Sequence, residues 1–233
     1  MSSSSNRFAR TADRVAARQD ARTELLAREV RDFVWPAGDE RALDVGTGAG
    51  ALAFALAPLV REVVGLDPVP ELLELARARS LSNTDFVEGD GTALPFPDAS
   101  FDLAGTHRTL HHVRRPDGVV AELARVTRHG GRVLVVDQLA PDDEAEAAAL
   151  HDFETVRDAS HSRLLADAEL RTLFAANRLD VLRERRVEER RELSSYLELA
   201  DSQGEERERA EALAAANPRV LFAGVGWYLL ARR

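Results

Sequence analysis

The chain contains no cysteine. That absence excludes disulfides, thiolate metal sites and cysteine nucleophiles. Lysine is missing as well, so all 31 basic residues are arginine. No lysine side chain is available as Schiff base or general base, and proton removal falls to histidine, a carboxylate, tyrosine or water. Isoleucine is also absent while alanine abounds, a bias we read as GC-rich coding rather than chemistry. Long apolar runs are lacking: Ala51–Val60 and Val133–Val136 are too short to span a bilayer. The Ser-rich start, Met1–Asn6, has neither the charged nor the apolar region of a secretory signal. The expectation is a cytoplasmic protein with no membrane insertion. Positive charge is in deficit, with 40 acidic side chains and a net charge of −9, which argues against nucleic acid as a partner. Gly-x-Ser-x-Gly is absent, and His111-His112 lacks zinc-ligand spacing, so neither a serine-hydrolase elbow nor a metal site is expected.

What is present suffices for a core: 233 residues, 45% hydrophobic and 30% charged, fit one domain. From Arg7 to Val34 apolar residues recur at helical spacing until Trp35-Pro36-Ala37-Gly38 breaks the pattern. Strands then alternate with helices. Strands are expected at Arg41–Val45, Glu62–Leu66, Asp85–Glu88, Phe101–Thr106 and Arg132–Val136. Helices are expected at Ala49–Leu59, from Pro70 to about Arg79, and at Asp117–Thr127. Such alternation predicts an α/β fold with a parallel sheet covered on both faces. Beyond it, helices are read at Asp142–Val156, Ala166–Ala176, Leu193–Leu199 and Glu205–Ala216, a strand at Leu179–Val187, and an extended run at Val220–Leu230. The mixed-sign stretches Arg183–Arg186 and Glu188–Glu192 read as solvated surface.

The chemistry concentrates at the ends of the first strands. Asp44-Val45-Gly46-Thr47-Gly48-Ala49-Gly50 brings a glycine-rich loop to the carboxyl end of the first strand, where open α/β sheets bind ligands. Asp67 ends the second strand about 20 residues beyond Gly46, a position suited to a ribose diol. Asp90, in Gly89-Asp90-Gly91, follows the third strand, where an adenine amine would be accepted. Three acids without a basic residue in the loop suit a cationic nucleoside better than a pyrophosphate. Each has a plainer reading. Asp44 can brace the loop through backbone N–H groups, Asp67 can cap the helix that begins after Pro68, and Asp90 can serve a turn. Gly46, Gly48 and Ala51 also loosely satisfy a dinucleotide fingerprint, so an NAD-linked oxidoreductase stands as an alternative.

From Leu43 to Val136 the chain resembles class I S-adenosylmethionine-dependent methyltransferases, with greatest likeness to the small-molecule enzymes of ubiquinone and menaquinone biosynthesis. The matching pieces are the glycine loop, Gly65-Leu66-Asp67, Gly89-Asp90 and Leu94–Asp102. They continue with Leu110-His111-His112-Val113, Glu122–Val126 and Gly130-Gly131-Arg132-Val133. The resemblance implies a Rossmann-like, doubly wound, mostly parallel seven-stranded sheet with an antiparallel last strand and an N-terminal helical lid. It divides the single domain into a lid (1–38), a cofactor-binding core (39–138) and a substrate-side half (139–233). By the same resemblance S-adenosylmethionine would contact Asp44, Gly46, Thr47, Gly48, Gly50, Asp67, Pro68, Asp90, Gly91, Thr92 and His107. Phe8–Asp13 resembles the helix that closes over the cofactor, with Val15 where tyrosine is frequent. Arg157–His161 resembles an Arg-Asp-Pro-Ser-His stretch, with Ala159 in place of the proline.

Three histidines follow the fourth strand, where the methyl group and the acceptor would meet. His107 and His111 are the catalytic candidates, as bases titrating near neutrality. The plainer reading gives His111-His112 a loop-orienting or cofactor-side role. His161 can reach the same pocket, and Asp137 can join a magnesium site or none. The expected function is methyl transfer to a small-molecule O, N or C nucleophile; a cofactor-binding protein without that activity is the third reading. Nothing in the sequence specifies the oligomeric state.

Overall fold

The computed structural model describes residues 3–233; Met1 and Ser2, which head the Ser-rich start, lie outside the described residues. Helices α1 (Ser3–Arg10) and α2 (Ala12–Val34) open the chain. The single helix expected over this stretch is interrupted at Thr11, whose hydroxyl donates back to the Arg7 carbonyl (3.2 Å). Such back-bonding competes with the helical ladder and bends the chain. Trp35 takes a left-handed conformation (φ 50°) and ends α2 before Pro36.

Seven strands form one sheet in the order β3-β2-β1-β4-β5-β7-β6. They are β1 (Arg41–Val45), β2 (Glu62–Asp67), β3 (Thr84–Glu88), β4 (Phe101–His107), β5 (Thr127–Leu139), β6 (Leu179–Arg190) and β7 (Phe222–Arg232). Strand β7 runs antiparallel to both β5 and β6, and the pairings of β1 to β5 with one another are parallel. The doubly wound sheet with an antiparallel last strand, implied by the resemblance, is the observed fold. Interior strand β1 is buried along Ala42–Val45, which explains its lack of alternation. Strand β5 begins at Thr127, ahead of the expected Arg132, because Thr127 pairs with Phe101 and a register shift takes up the residues between.

The crossover helices α3 (Ala51–Leu56), α4 (Pro70–Arg77) and α5 (Pro116–Val126) cover the sheet. One core packs α2, α3 and α4 against one face through Val30, Leu52, Leu56 and Leu73. A second packs α5 and α7 (Asp167–Ala176) against the other through Val120, Leu123, Leu170 and Phe174. A third cluster joins α6 (Glu144–Arg157), α8 (Leu193–Leu199) and α9 (Gly204–Ala216) around Phe153, Tyr196 and Ala210. The strand order reverses between β1 and β4, and at the carboxyl ends of such strands open sheets leave a crevice. Among the described residues no helix is long and apolar enough to cross a membrane.

Candidate functional site

A cavity of about 1060 Å³ occupies that crevice. Its floor is the carboxyl ends of β1, β2, β4 and β5, and residues of α1 and α2 cover it. Of the residues singled out in the sequence, Gly46, Gly48, Asp67, Pro68, Asp90, Gly91, Thr92, His107 and His111 share this wall. Asp44, Thr47 and Gly50 are buried and off the wall, and Gly50 precedes the first turn of α3.

The loop after β1 is shaped by its glycines. Gly46 (φ +73°) and Gly48 (φ +57°) adopt left-handed backbone that glycine tolerates best. A Cβ at Gly46 would collide with the Thr109 side chain, and one at Gly48 would lie 2.9 Å from Gln19 Nε2. Asp67 ties this loop to the next helix: Oδ2 accepts from Gly48 N–H (2.8 Å) and Oδ1 from Val69 N–H (2.9 Å). Burial raises its pKa to about 6. Asp44 is buried more deeply. Its Oδ2 accepts from Ala53 N–H (3.0 Å), whereas Oδ1 has no partner in good hydrogen-bond geometry, the Thr47 hydroxyl beside the carboxylate only partly opposing the effect of burial. Burial raises its pKa to about 7. The bracing role and an open acceptor thus coexist on one carboxylate. Asp90 sits in a turn of its own making, its Oδ1 accepting from the N–H and hydroxyl of Thr92 (2.8 Å each).

The opposite end of the cavity holds the histidines. His107 closes β4, and burial, then the positive charge of Arg108, holds its pKa down at about 3. It does not titrate near neutrality as anticipated, and its imidazole is neutral throughout the physiological range. His111 differs. Its Nδ1 lies 2.5 Å from Asp137 Oδ1, and Asp137 Oδ2 accepts from Leu110 N–H (2.6 Å). Burial alone would raise Asp137, but His111 and the N–H groups of Gln138 and Leu110 hold it below the usual carboxylate value. A carboxylate at Nδ1 keeps the proton there and leaves Nε2 as the acceptor. Asp137 is therefore an orienting partner of His111; among the described residues no cluster is placed to hold a metal ion.

A buried ionic network that the sequence did not reveal backs this end. Glu154, 0% exposed, receives Arg157 (2.8 Å), Arg191 (2.5 Å) and the Tyr196 hydroxyl (2.8 Å). Asp158 pairs with Arg157 (3.3 Å) and with Arg7 of α1 (3.0 Å). Burial opposes ionisation of Glu154, yet the two guanidinium groups and Tyr196 bring its pKa down to about 2. The run expected to be surface therefore buries Arg191, and it places Glu189 on the cavity wall. Arg157–His161, singled out by resemblance, contributes to the same wall, with His161 Nε2 buried and unpartnered.

Residues 43–135 match the family model described as "Methyltransferase domain". Over 145 residues, 60% of this chain and 57% of the relative, the sequence is 37% identical to the uncharacterized methyltransferase YcgJ of Bacillus subtilis. Over 133 residues it is 35% identical to a demethylmenaquinone methyltransferase of Renibacterium salmoninarum, covering 54% of this chain and 56% of that one. The chain thus spans just over half the length of these curated relatives. The solved structure of YcgJ covers 92% of this chain and 99% of its own, with a TM-score of 0.77 at 24% identity. That of the Bacillus halodurans protein BH2331 covers 89% and 97%, with a TM-score of 0.81 at 25% identity.

Proposed function

We propose, from the premise that this chain carries a methyltransferase domain on a class I fold, that it transfers the methyl group of S-adenosylmethionine to a small-molecule acceptor. The observation that carries this reading is the acidic cradle at the ends of β1 to β3. Gln19 Oε1, on the cavity wall, and Asp44 Oδ1, buried off it, are acceptors without hydrogen-bond partners, beside a glycine loop that a Cβ would obstruct. Such groups call for donors and positive charge. Both the amino group and the diol of S-adenosylmethionine fit that demand. Gly46 and Gly48 would face the methionine part, Asp67 the ribose, and Asp90 with Gly91 or Thr92 the adenine, while Pro68 would flank the nucleoside. The cradle is acidic and the family match points the same way, which favours a methyl donor over a dinucleotide.

When bound, S-adenosylmethionine supplies an electrophilic sulfonium methyl. The protein's part is alignment, exclusion of water and proton removal. His111 Nε2 accepts the proton of the acceptor's nucleophilic group, and Asp137 holds the Nδ1–H and stabilises the resulting imidazolium. His107, held neutral by burial, lines the acceptor site. Helices α1 and α2 act as the lid.

Two measurements test this reading. Asp67→Ala removes the carboxylate proposed for the ribose, and S-adenosylhomocysteine affinity by calorimetry should fall about 100-fold or more; an affinity close to that of the parent overturns the assignment. Once a screen of aromatic, quinone and polyketide-like acceptors has found turnover, His111→Ala and Asp137→Asn should each lower kcat by about 100-fold with cofactor affinity kept. His107→Ala should cost far less. Equal losses at His107 and His111 would remove the distinction drawn here.

A further inference from the structure

Within an acidic chain, the acceptor end of the cavity is basic. Arg18 and Arg22 of α2 and Arg108 after β4 all line the cavity, and Glu189 is the lining carboxylate that pairs with two of them. The same oxygen, Glu189 Oε1, receives Arg108 Nη2 at 2.6 Å and Arg22 Nη2 at 3.4 Å. Among the described residues Arg18 has no ion pair and no hydrogen-bond partner, unlike Arg7, Arg157 and Arg191, each of which meets a buried carboxylate. A guanidinium cannot shed its charge to relieve such a position. Burial and the neighbouring Arg22 and Arg108 bear against the charged form of Arg18, and Glu189 and Tyr196 offset them only in part, so at this end of the wall three guanidinium groups share one nearby carboxylate.

Arg108 is also fixed in place. Its backbone is left-handed (φ 56°) and its N–H donates to Val136 O at 2.7 Å. Beside it in the sheet register stand His107, Val136 and Trp227, a floor that is neutral and largely apolar.

We propose that the acceptor binds here by an oxyanion, a carboxylate or a phosphate ester, gripped by Arg18 and Arg108 and flanked by Arg22, with its apolar body over Val136 and Trp227. The proposal deepens the methyl-transfer reading and rests on it for the word acceptor. The anion site stands on its own geometry. Planar guanidinium groups suit either oxyanion through paired N–H donors.

The test uses the full chain saturated with S-adenosylhomocysteine and three probes of one shape: 2-naphthoate, 2-naphthyl phosphate and the uncharged 2-naphthamide. Calorimetry should find at least one anion bound about 10-fold or more tightly than the amide, and which anion wins identifies the oxyanion. Arg18→Gln and Arg108→Gln should each remove most of that preference while S-adenosylhomocysteine affinity stays constant. Arg28→Gln, on the exposed face of α2, controls for net charge and should change nothing. The proposal is overturned if the amide binds as well as the anions, if no probe binds, or if both arginine variants keep the preference. Failure of S-adenosylhomocysteine to bind the parent chain would instead sink the methyl-donor reading. The same titrations on the chain alone would still decide the anion site.

Discussion

Replacing Asp44 with asparagine should stabilise the free protein at pH 8 and weaken its grip on S-adenosylmethionine. Asp44 is 1% exposed, and one of its oxygens has no partner in good hydrogen-bond geometry. Burial raises its pKa from 3.8 to about 7. The folded chain therefore holds a proton that the unfolded chain has already released. Stability owed to the neutral form is complete below about pH 4 and lost as pH rises toward 7. At pH 8 the ionised carboxylate costs the fold on the order of 4 kcal/mol. Asparagine keeps an acceptor for Ala53 N–H and cannot ionise. Urea unfolding should place Asp44→Asn above the parent by about that amount at pH 8, and by less than half of it at pH 5. Calorimetry should show cofactor affinity reduced by about 10-fold or more. A variant that is less stable at pH 8, or that binds as tightly as the parent, would end the case for Asp44 as a carboxylate kept strained for a cation.

Glu154→Gln should have the opposite consequence for stability, and a comparably large one. Its carboxylate compensates two buried guanidinium groups, Arg157 and Arg191. Removing one partner from such a set strands charge in a poorly solvated site, at a cost of about 3–5 kcal/mol. Here the folded pKa, about 2, lies below the ordinary 4.5, so the contribution is present above about pH 4.5 and lost as pH falls toward 2. The parent should weaken across that acid window more than Glu154→Gln does. Parallel urea midpoints at pH 7 and pH 3 provide the check, and a loss under about 1 kcal/mol at pH 7 would mean the network is dispensable.

The sequence made the glycine-loop end of the cavity legible because its signals are local. Glycines at alternate positions, an acid at each strand end and short apolar runs all lie within one βα unit of their partners. Strand β1 and helix α8 coincide with their expected bounds for the same reason. At the other end the histidines and Arg157–His161 were legible, but the ion pairs around them were not. Arg7 meets Asp158, Arg108 meets Glu189, and Gln138 meets Arg191 only once the sheet has closed. No spacing rule joins residues so far apart. The mixed-sign run around Arg191 was misread because charge alternation reports a solvated face only when nothing folds over it. The break at Thr11 escaped because apolar periodicity is blind to a hydroxyl that bonds to its own helix.

Ties across the sequence hold the roof of the cavity. Arg7 donates to Leu199 O (3.0 Å) and pairs with Asp158, while Arg14 reaches Asp201 (2.8 Å). Asp158 follows α6, and Leu199 and Asp201 stand at the end of α8, so the roof is clasped by the same helical cluster that walls the far end of the cavity. Loosening that cluster therefore loosens the cover over the glycine loop as well.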